Sequence, residues 1–295
     1  MVAFLRYLIN GISLGSVYAI IALGYSMVYG IAKMLNFAHG DIIMVGAYIV
    51  YCVMVYLNLP PLLAVLASVL VCTVLGIVIE RLAYKPLRQS ASLAVLITAI
   101  GVSYLLQNAA MLIWGSNPKV FSSVFSIGSI RLLNGELVIS SETLLTIAAN
   151  IIIMIALTLF TGKTRMGKAM RAVSEDKGAA ELMGINVNRT ISVTFAIGSA
   201  LAAIAGALLC STTNPNLVPT TGSMPGIKAF TAAVFGGIGS IPGALIGGLL
   251  LGIIEILGKA YISTELSDAL VFAVLIIVLL FRPAGLLGKP VREKV

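Results

Sequence analysis

Residues 226–257, GIKAFTAAVFGGIGSIPGALIGGLLLGIIEIL, decide what kind of chain this is. Lys228 and Glu255 are the only charges in the stretch, and everything between them is apolar, small or hydroxylic. A bilayer-crossing helix needs about 20 such residues, so this run is too long for one straight helix. Its middle reads Gly236-Gly237-Ile238-Gly239-Ser240-Ile241-Pro242-Gly243. Glycine loses the most backbone entropy in a helix, and proline lacks the N–H and clashes with the preceding turn. The run therefore predicts two half-segments joined by a break.

The rest of the chain has the same character. Hydrophobic residues make up 59% of the 295 and charged residues only 10%, where a soluble domain carries about 25% charged residues. Mean hydropathy is +1.08. A water-soluble fold of this length has no place for so much apolar surface. Further apolar runs lie near 7–29, 41–57, 61–79, 92–114, 143–161, 190–210 and 268–282. The expected fold is an all-α polytopic membrane protein, a single transmembrane domain over 1–295 with about 8 membrane segments. The first run is too long for a signal-peptide core and lacks a small-residue cleavage site. Cys52, Cys72 and Cys210 lie in or beside apolar runs without metal-ligand spacing and read as small core hydrophobes.

Orientation follows from lysine and arginine, which collect in cytoplasmic connections. Arg81, Lys85 and Arg88 fall in 80–91, and Lys163, Arg165, Lys168, Arg171, Lys177 and Arg189 in 162–189. Lys33 lies near the end of the first run, and Arg282, Lys289, Arg292 and Lys294 in the tail. All are cytoplasmic together if the N-terminus is outside and the two halves of 226–257 enter and leave on one side. The net charge of +8 is then a topology signal and calls for no nucleic-acid partner. The bacterial inner membrane is the expected location, with the C-terminus cytoplasmic.

The connection 115–142 falls outside. Val120 to Ser126 and Ile130 to Ile139 are rich in β-formers, and Asn134-Gly135 suits a hairpin turn. A small external β-hairpin or an ordered loop is expected there. The two halves also share a pattern, an apolar run, a break and a returning run, with breaks at 35–41 and 236–243. It reads as a parallel duplication.

Broken helices at membrane depth are tolerated only where protein or a wet cavity satisfies the freed backbone groups. Both breaks are therefore candidates for a solute pathway. The first holds Asn36, His39, Gly40 and Asp41. Asp41 suits a cap at the positive end of the returning helix, or a contact with solute. His39, the only histidine, suits a structural role in the turn. At the second break, Gly236, Gly237, Gly239 and Pro242 suit close helix packing or a narrow passage. Gly248 and Gly252 continue a small-residue face. Lys228 reads as snorkelling to the outer headgroups or standing at a solute entrance.

No catalytic constellation, phosphate loop, metal site or cofactor site is apparent, so the chain is not expected to be an enzyme. Glu255 is the chief intramembrane acid, and a proton- or sodium-coupled carrier normally holds more ionisable groups. Energy is then expected from a partner. The segment 162–189 is the natural contact: Ala169 to Val173 and Ala179 to Met183 read as short helices. Glu175-Asp176 precedes the second and Gly184 ends it.

These stretches carry a specific resemblance. Asn36 to Asp41, Gly167 to Ala172 through Gly184-Ile185-Asn186, and Lys228 to Val234 through Gly239 to Ala244 are similar to the permease subunits of branched-chain amino-acid ABC importers of the LivH type. So is the ending Phe281 to Pro290. The likeness runs from about residue 8 to the end. It implies a second related permease subunit, two ATP-hydrolysing subunits and an extracytoplasmic solute-binding protein, besides membrane lipid. It implies that 169–184 is the coupling loop, with Arg171, Glu175, Asp176, Ala180 and Gly184 at matching positions, and that leucine, isoleucine and valine are carried by alternating access. Similar permeases serve urea, short amides or other amino acids, and a self-sufficient secondary transporter or channel is the rival reading.

Overall fold

A computed structural model of the chain describes residues 2–121, 128–132, 137–213 and 215–288. Eleven helices run in chain order among these residues. They are α1 (Val2–Ala32), α2 (His39–Val55), α3 (Pro61–Ile79), α4 (Ser92–Trp114), α5 (Ser141–Lys163), α6 (Arg165–Glu175), α7 (Lys177–Leu182), α8 (Val187–Thr212), α9 (Ser223–Gly236), α10 (Ile241–Tyr261) and α11 (Ser267–Phe281). Six of them, α1, α3, α4, α5, α8 and α10, are long and apolar enough to cross a membrane, and α2 and α11 are shorter apolar helices. Short turns at Glu80–Tyr84 and Lys85–Leu87 extend α3. The fold is all-α, as the composition requires.

An α-helix that is apolar all round has no face for water and belongs in a core. Helix α1 is such a helix, and Val17 to Leu23 are almost wholly buried. It packs antiparallel to α10, with Gly11 and Gly15 against Ile253 and Leu249, and Ala19 against Gly248. Glycines on both sides let the backbones approach closely, which is how membrane helices gain dispersion contact without a hydrophobic drive between them. Helix α4 is the opposite case. Leu105, Leu112 and Ile113 on it are each at least 67% exposed, the mark of a face against lipid or a second subunit.

Basic groups gather at one end of the bundle. Lys177 of α7 donates to the Ala32 carbonyl at the end of α1 at 2.8 Å. Arg88 bonds Asn188 at the start of α8 and pairs with Glu80 at the end of α3. Ser192 of α8 donates to Glu80 at 2.6 Å. Helix α1 thus ends where α8 begins, and the two run in opposite directions.

That opposition corrects the expected duplication. The first unit is α1, a short interruption, then α2, α3 and α4; the second is α8, the interruption 213–222, then α9, α10 and α11. Helix α8 packs on α3 through Gly76 and Ser199 much as α1 packs on α10. The repeat is inverted, and the partner of break 35–41 is 213–222. The break at 236–243 is a helix–helix turn instead. It lies beside Gly30, close to the end of α1, so it sits at the basic end of the bundle. Helix α10, with 21 residues, is a full-length span, where a half-segment was expected.

On the opposite end, β1 (Lys119–Val120) pairs antiparallel with β4 (Asn216–Leu217), and β2 (Ile130–Leu132) pairs with β3 (Leu137–Ile139). The second pair is the expected hairpin. Asn134-Gly135, expected as its turn, and most of the stretch from Val120 to Ser126 lie outside the described residues, as do Lys289, Arg292 and Lys294.

Candidate functional site

Two short helices begin at one place inside the bundle. Gly40, at the start of α2, lies against Gly222 and Gly226 at the start of α9; a Cβ on Gly40 would stand 2.6 Å from the Gly222 carbonyl. Only glycine permits that approach. Asp41 is 2% exposed, and its Oδ1 accepts from Gln107 Nε2 of α4 at 2.8 Å. The same amide nitrogen lies 3.2 Å from Ser103 Oγ and 3.2 Å from Ser223 Oγ, the latter on the first residue of α9. Three elements therefore bring a carboxylate, an amide and two hydroxyls together where two helix N-termini meet. N-termini carry partial positive charge, so the junction offers both donors and an acceptor to a polar group. The expected cap differs in detail: Ala38 is the N-cap residue of α2, and the Asp41 side chain reaches across to α4.

Around this junction the first break is anchored by protein groups. Tyr84 donates to Asn36 Oδ1 at 2.8 Å, fixing the loop to the end of α3. His39 is buried, its ring 4.6 Å from that of Tyr25, wedged between Gly24 of α1 and Gly198 of α8. Among the described residues no group of three His, Cys, Asp or Glu side chains converges as a metal site would need.

The second break is closed by the chain itself. Ser240 caps α10, its hydroxyl accepting from the Gly243 N–H at 3.2 Å, and Pro242 occupies the first turn, where no N–H is missed. The C-terminal segment lies across the end of α9. Leu286 N–H donates to the Phe235 carbonyl and Leu287 N–H to the Gly236 carbonyl, each at 2.9 Å. Gly237 (φ +107°) and Gly239 (φ +89°) turn the chain in the left-handed region, which side chains adopt only at a cost.

Lys228, read from the sequence as snorkelling or standing at a solute entrance, is buried between helices. It is 6% exposed, with its Nζ 2.8 Å from Glu255 Oε1 of α10 and 2.6 Å from Asp268 Oδ1 of α11. Lys259 Nζ lies 2.6 Å from the same Glu255 oxygen, and Tyr18 donates to Oε2 at 2.9 Å. Two cations and two anions cancel, which makes burial tolerable, since an unpaired charge in that setting is far costlier.

The segment 162–189 holds a compact pair of helices at the basic end. Thr164 caps α6 by accepting from the Gly167 N–H at 3.0 Å, and Gly167 touches the last turn of α5 too closely for any side chain. Arg171 donates to the Gly162 carbonyl at 3.1 Å. Glu175 ends α6; Asp176 Oδ1 caps α7, accepting from Ala179 at 3.0 Å. Ala180 is the buried residue of α7. Gly184 (φ +80°) ends it, with Ile185 N–H returning to the Ala180 carbonyl at 3.0 Å, the usual left-handed stop. Beyond this frame Leu182 and Met183 are 91% and 82% exposed. Burial, with Arg88 and Lys33 nearby, holds the Lys177 ammonium below the ordinary lysine range.

Sequence reading missed Gln107, Ser103, Ser223 and the whole interruption 213–222. The available signal was faint: the amide pair Gln107-Asn108 in an apolar helix, and Gly222 four residues before Gly226.

Comparison with known proteins adds to this geometry. The family model described as the branched-chain amino acid transport system permease component matches residues 7–279. The high-affinity branched-chain amino acid transport system permease protein BraD of Pseudomonas aeruginosa is 46% identical over 307 residues, covering 99% of this chain and 98% of BraD. LivH of Salmonella typhimurium, a permease protein of the same description, is 44% identical over 304 residues with the same coverage. Among solved structures, PsaBC from Streptococcus pneumoniae in complex with Fab aligns with a TM-score of 0.44 and 13% identity, over 93% of this chain and 88% of that one.

Proposed function

The chain belongs to the branched-chain amino acid transport permease family, and from that premise we propose how it moves its solute, past the junction where α2 and α9 begin. It is the membrane-spanning permease subunit of an ATP-binding-cassette importer, a multi-pass inner-membrane protein and not an enzyme. The family sets aside the secondary-transporter rival. Leucine, isoleucine and valine are the solutes.

The single observation that carries the pathway reading is the meeting of Gly40 and Gly222 beside Asp41, Gln107 and Ser223. Interrupted helices meeting in a bundle core are where transporters place solute passages. Met224 and Ile227 on the same helix start are exposed, and a second, related permease is the partner that faces them. The pathway then runs between two permeases. Gly236, Gly237, Gly239 and Pro242 serve the turn at its basic end, and Lys228 holds α9 to α10 and α11.

That basic end is the cytoplasmic face, which puts the N-terminus outside. Helices α6 and α7 form the docking knob for an ATP-hydrolysing subunit, with Leu182 and Met183 entering its groove and Gly184 closing the tip. Lys177 ties the knob to the end of α1 and so to the break at 35–41. ATP-driven closure moves the knob, and the short helices part. Two ATPases and an extracytoplasmic binding protein complete the importer.

The test is affinity purification of the tagged chain in mild detergent with mass-spectrometric identification of its partners. Two ATPases and a second permease are expected. The double substitution Leu182→Asp, Met183→Asp is expected to cut ATPase recovery about tenfold or more, as loss of two buried apolar anchors implies. Undiminished recovery would remove the knob from the interface.

A further inference from the structure

Between the end of α3 and the start of α8, at the basic end, lies a cleft of about 470 Å³. Arg81, Lys85 and Arg189 stand at its rim with Asn186 and Asn188, while Ile77, Val193 and Ala196 form its floor. The one carboxylate joined to a cleft residue is already engaged: Glu80 pairs with Arg88 and accepts from Ser192. None of the three rim cations has a carboxylate partner among the described residues. The cleft therefore presents an unbalanced positive rim over an apolar floor.

We propose that this cleft binds the headgroup of an anionic phospholipid, with its phosphate among Arg81, Lys85 and Arg189 and its acyl chains along α3. Cations between membrane helices at the boundary of the bilayer are suited to acidic lipid. The apolar floor favours lipid over a soluble protein. Ile77, Val193 and Ala196 are half-buried residues of helices long and apolar enough to cross a membrane. Leu70, Val74 and Val78 on α3 are exposed along the same length of helix, a continuous apolar track for acyl chains. Arg81 and Lys85 lie two and six residues beyond the last residue of α3, where the apolar helix gives way to charge. Arginine offers a planar fork to phosphate and lysine a point charge, and Asn186 and Asn188 add amide donors.

The experiment uses the intact importer purified in detergent, stripped of lipid, and titrated with phosphatidylglycerol, phosphatidylcholine or sodium phosphate while retained lipid is counted by native mass spectrometry. Phosphatidylglycerol is expected to bind at a saturable stoichiometry, phosphatidylcholine weakly, and free phosphate to compete poorly because it lacks acyl chains. The variant Arg81→Gln, Lys85→Gln, Arg189→Gln is expected to lose roughly a hundredfold in that affinity, given the effect of each cation near an anionic surface. Equal retention of both lipids by the unaltered protein overturns the proposal without need of any variant. Competition by free phosphate as strong as by lipid overturns it in favour of a soluble anion. Unchanged lipid retention in the variant, with ATPase recovery lost, overturns it in favour of a protein contact.

Discussion

Two interruptions in this chain look alike in sequence and do opposite things in the fold. Asn36 to Asp41 and Gly236 to Gly243 both break an apolar run with residues that cannot continue a helix. At the first, the chain returns into the bundle, and Asp41 meets Gln107 of another helix beside a second helix start. At the second, a capping serine, a first-turn proline and two tail N–H groups satisfy the backbone at the bundle's basic end. A break is a site only when its freed polar groups are left facing something that moves. Where the chain supplies every partner, it is a turn.

Three substitutions and one truncation separate the two, in falling order of effect. Asp41→Asn is expected to lower leucine uptake by about ten- to a hundredfold with membrane levels unchanged, the scale of a lost hydrogen bond to a charged group. Uptake at the ordinary rate would take the first break out of the pathway. Gly237→Ala should do the reverse, costing about 2 kcal/mol in stability through left-handed strain and the clash with Gly288. Its signature is a lower melting temperature in detergent with uptake per folded molecule within about twofold, the latitude left when the altered group touches no solute. A large fall in uptake at full stability would make the second break part of the passage after all. Ending the chain after Ala284 removes the two N–H donors to Phe235 and Gly236, a loss of about 2 kcal/mol at the usual net value per bond; thermal unfolding measures it. Lys177→Met removes one bond to the Ala32 carbonyl, about 1 kcal/mol. Because that bond joins the knob to the first break, the ratio of ATP hydrolysed to leucine transported should rise while the ATPases still bind.

The buried ion cluster is a further case of identity without partners. Lys228 and Glu255 bound the stretch that decided the fold, yet only the close packing of α9, α10 and α11 shows that they pair, with Asp268 and Lys259 completing the charge balance. A lysine near the end of an apolar run reads as snorkelling because a single helix offers no counter-charge. Three helices supply one.

By itself the sequence determined the solvent, the helical class, the approximate span boundaries, the helix pair in 162–189 and the gathering of basic residues. Each of these depends on local hydropathy, charge and capping, which are properties of neighbours in the chain. Tertiary structure alone decided that the repeat is inverted, that 213–222 is the counterpart of the first break, and that Gln107 and Ser223 stand by Asp41. It also decided that the C-terminal tail seals the second. Those facts join residues as much as 182 positions apart, as Ser223 and Asp41 are. Partner choice at such distances is set by how small residues let helices pack, which no local pattern encodes.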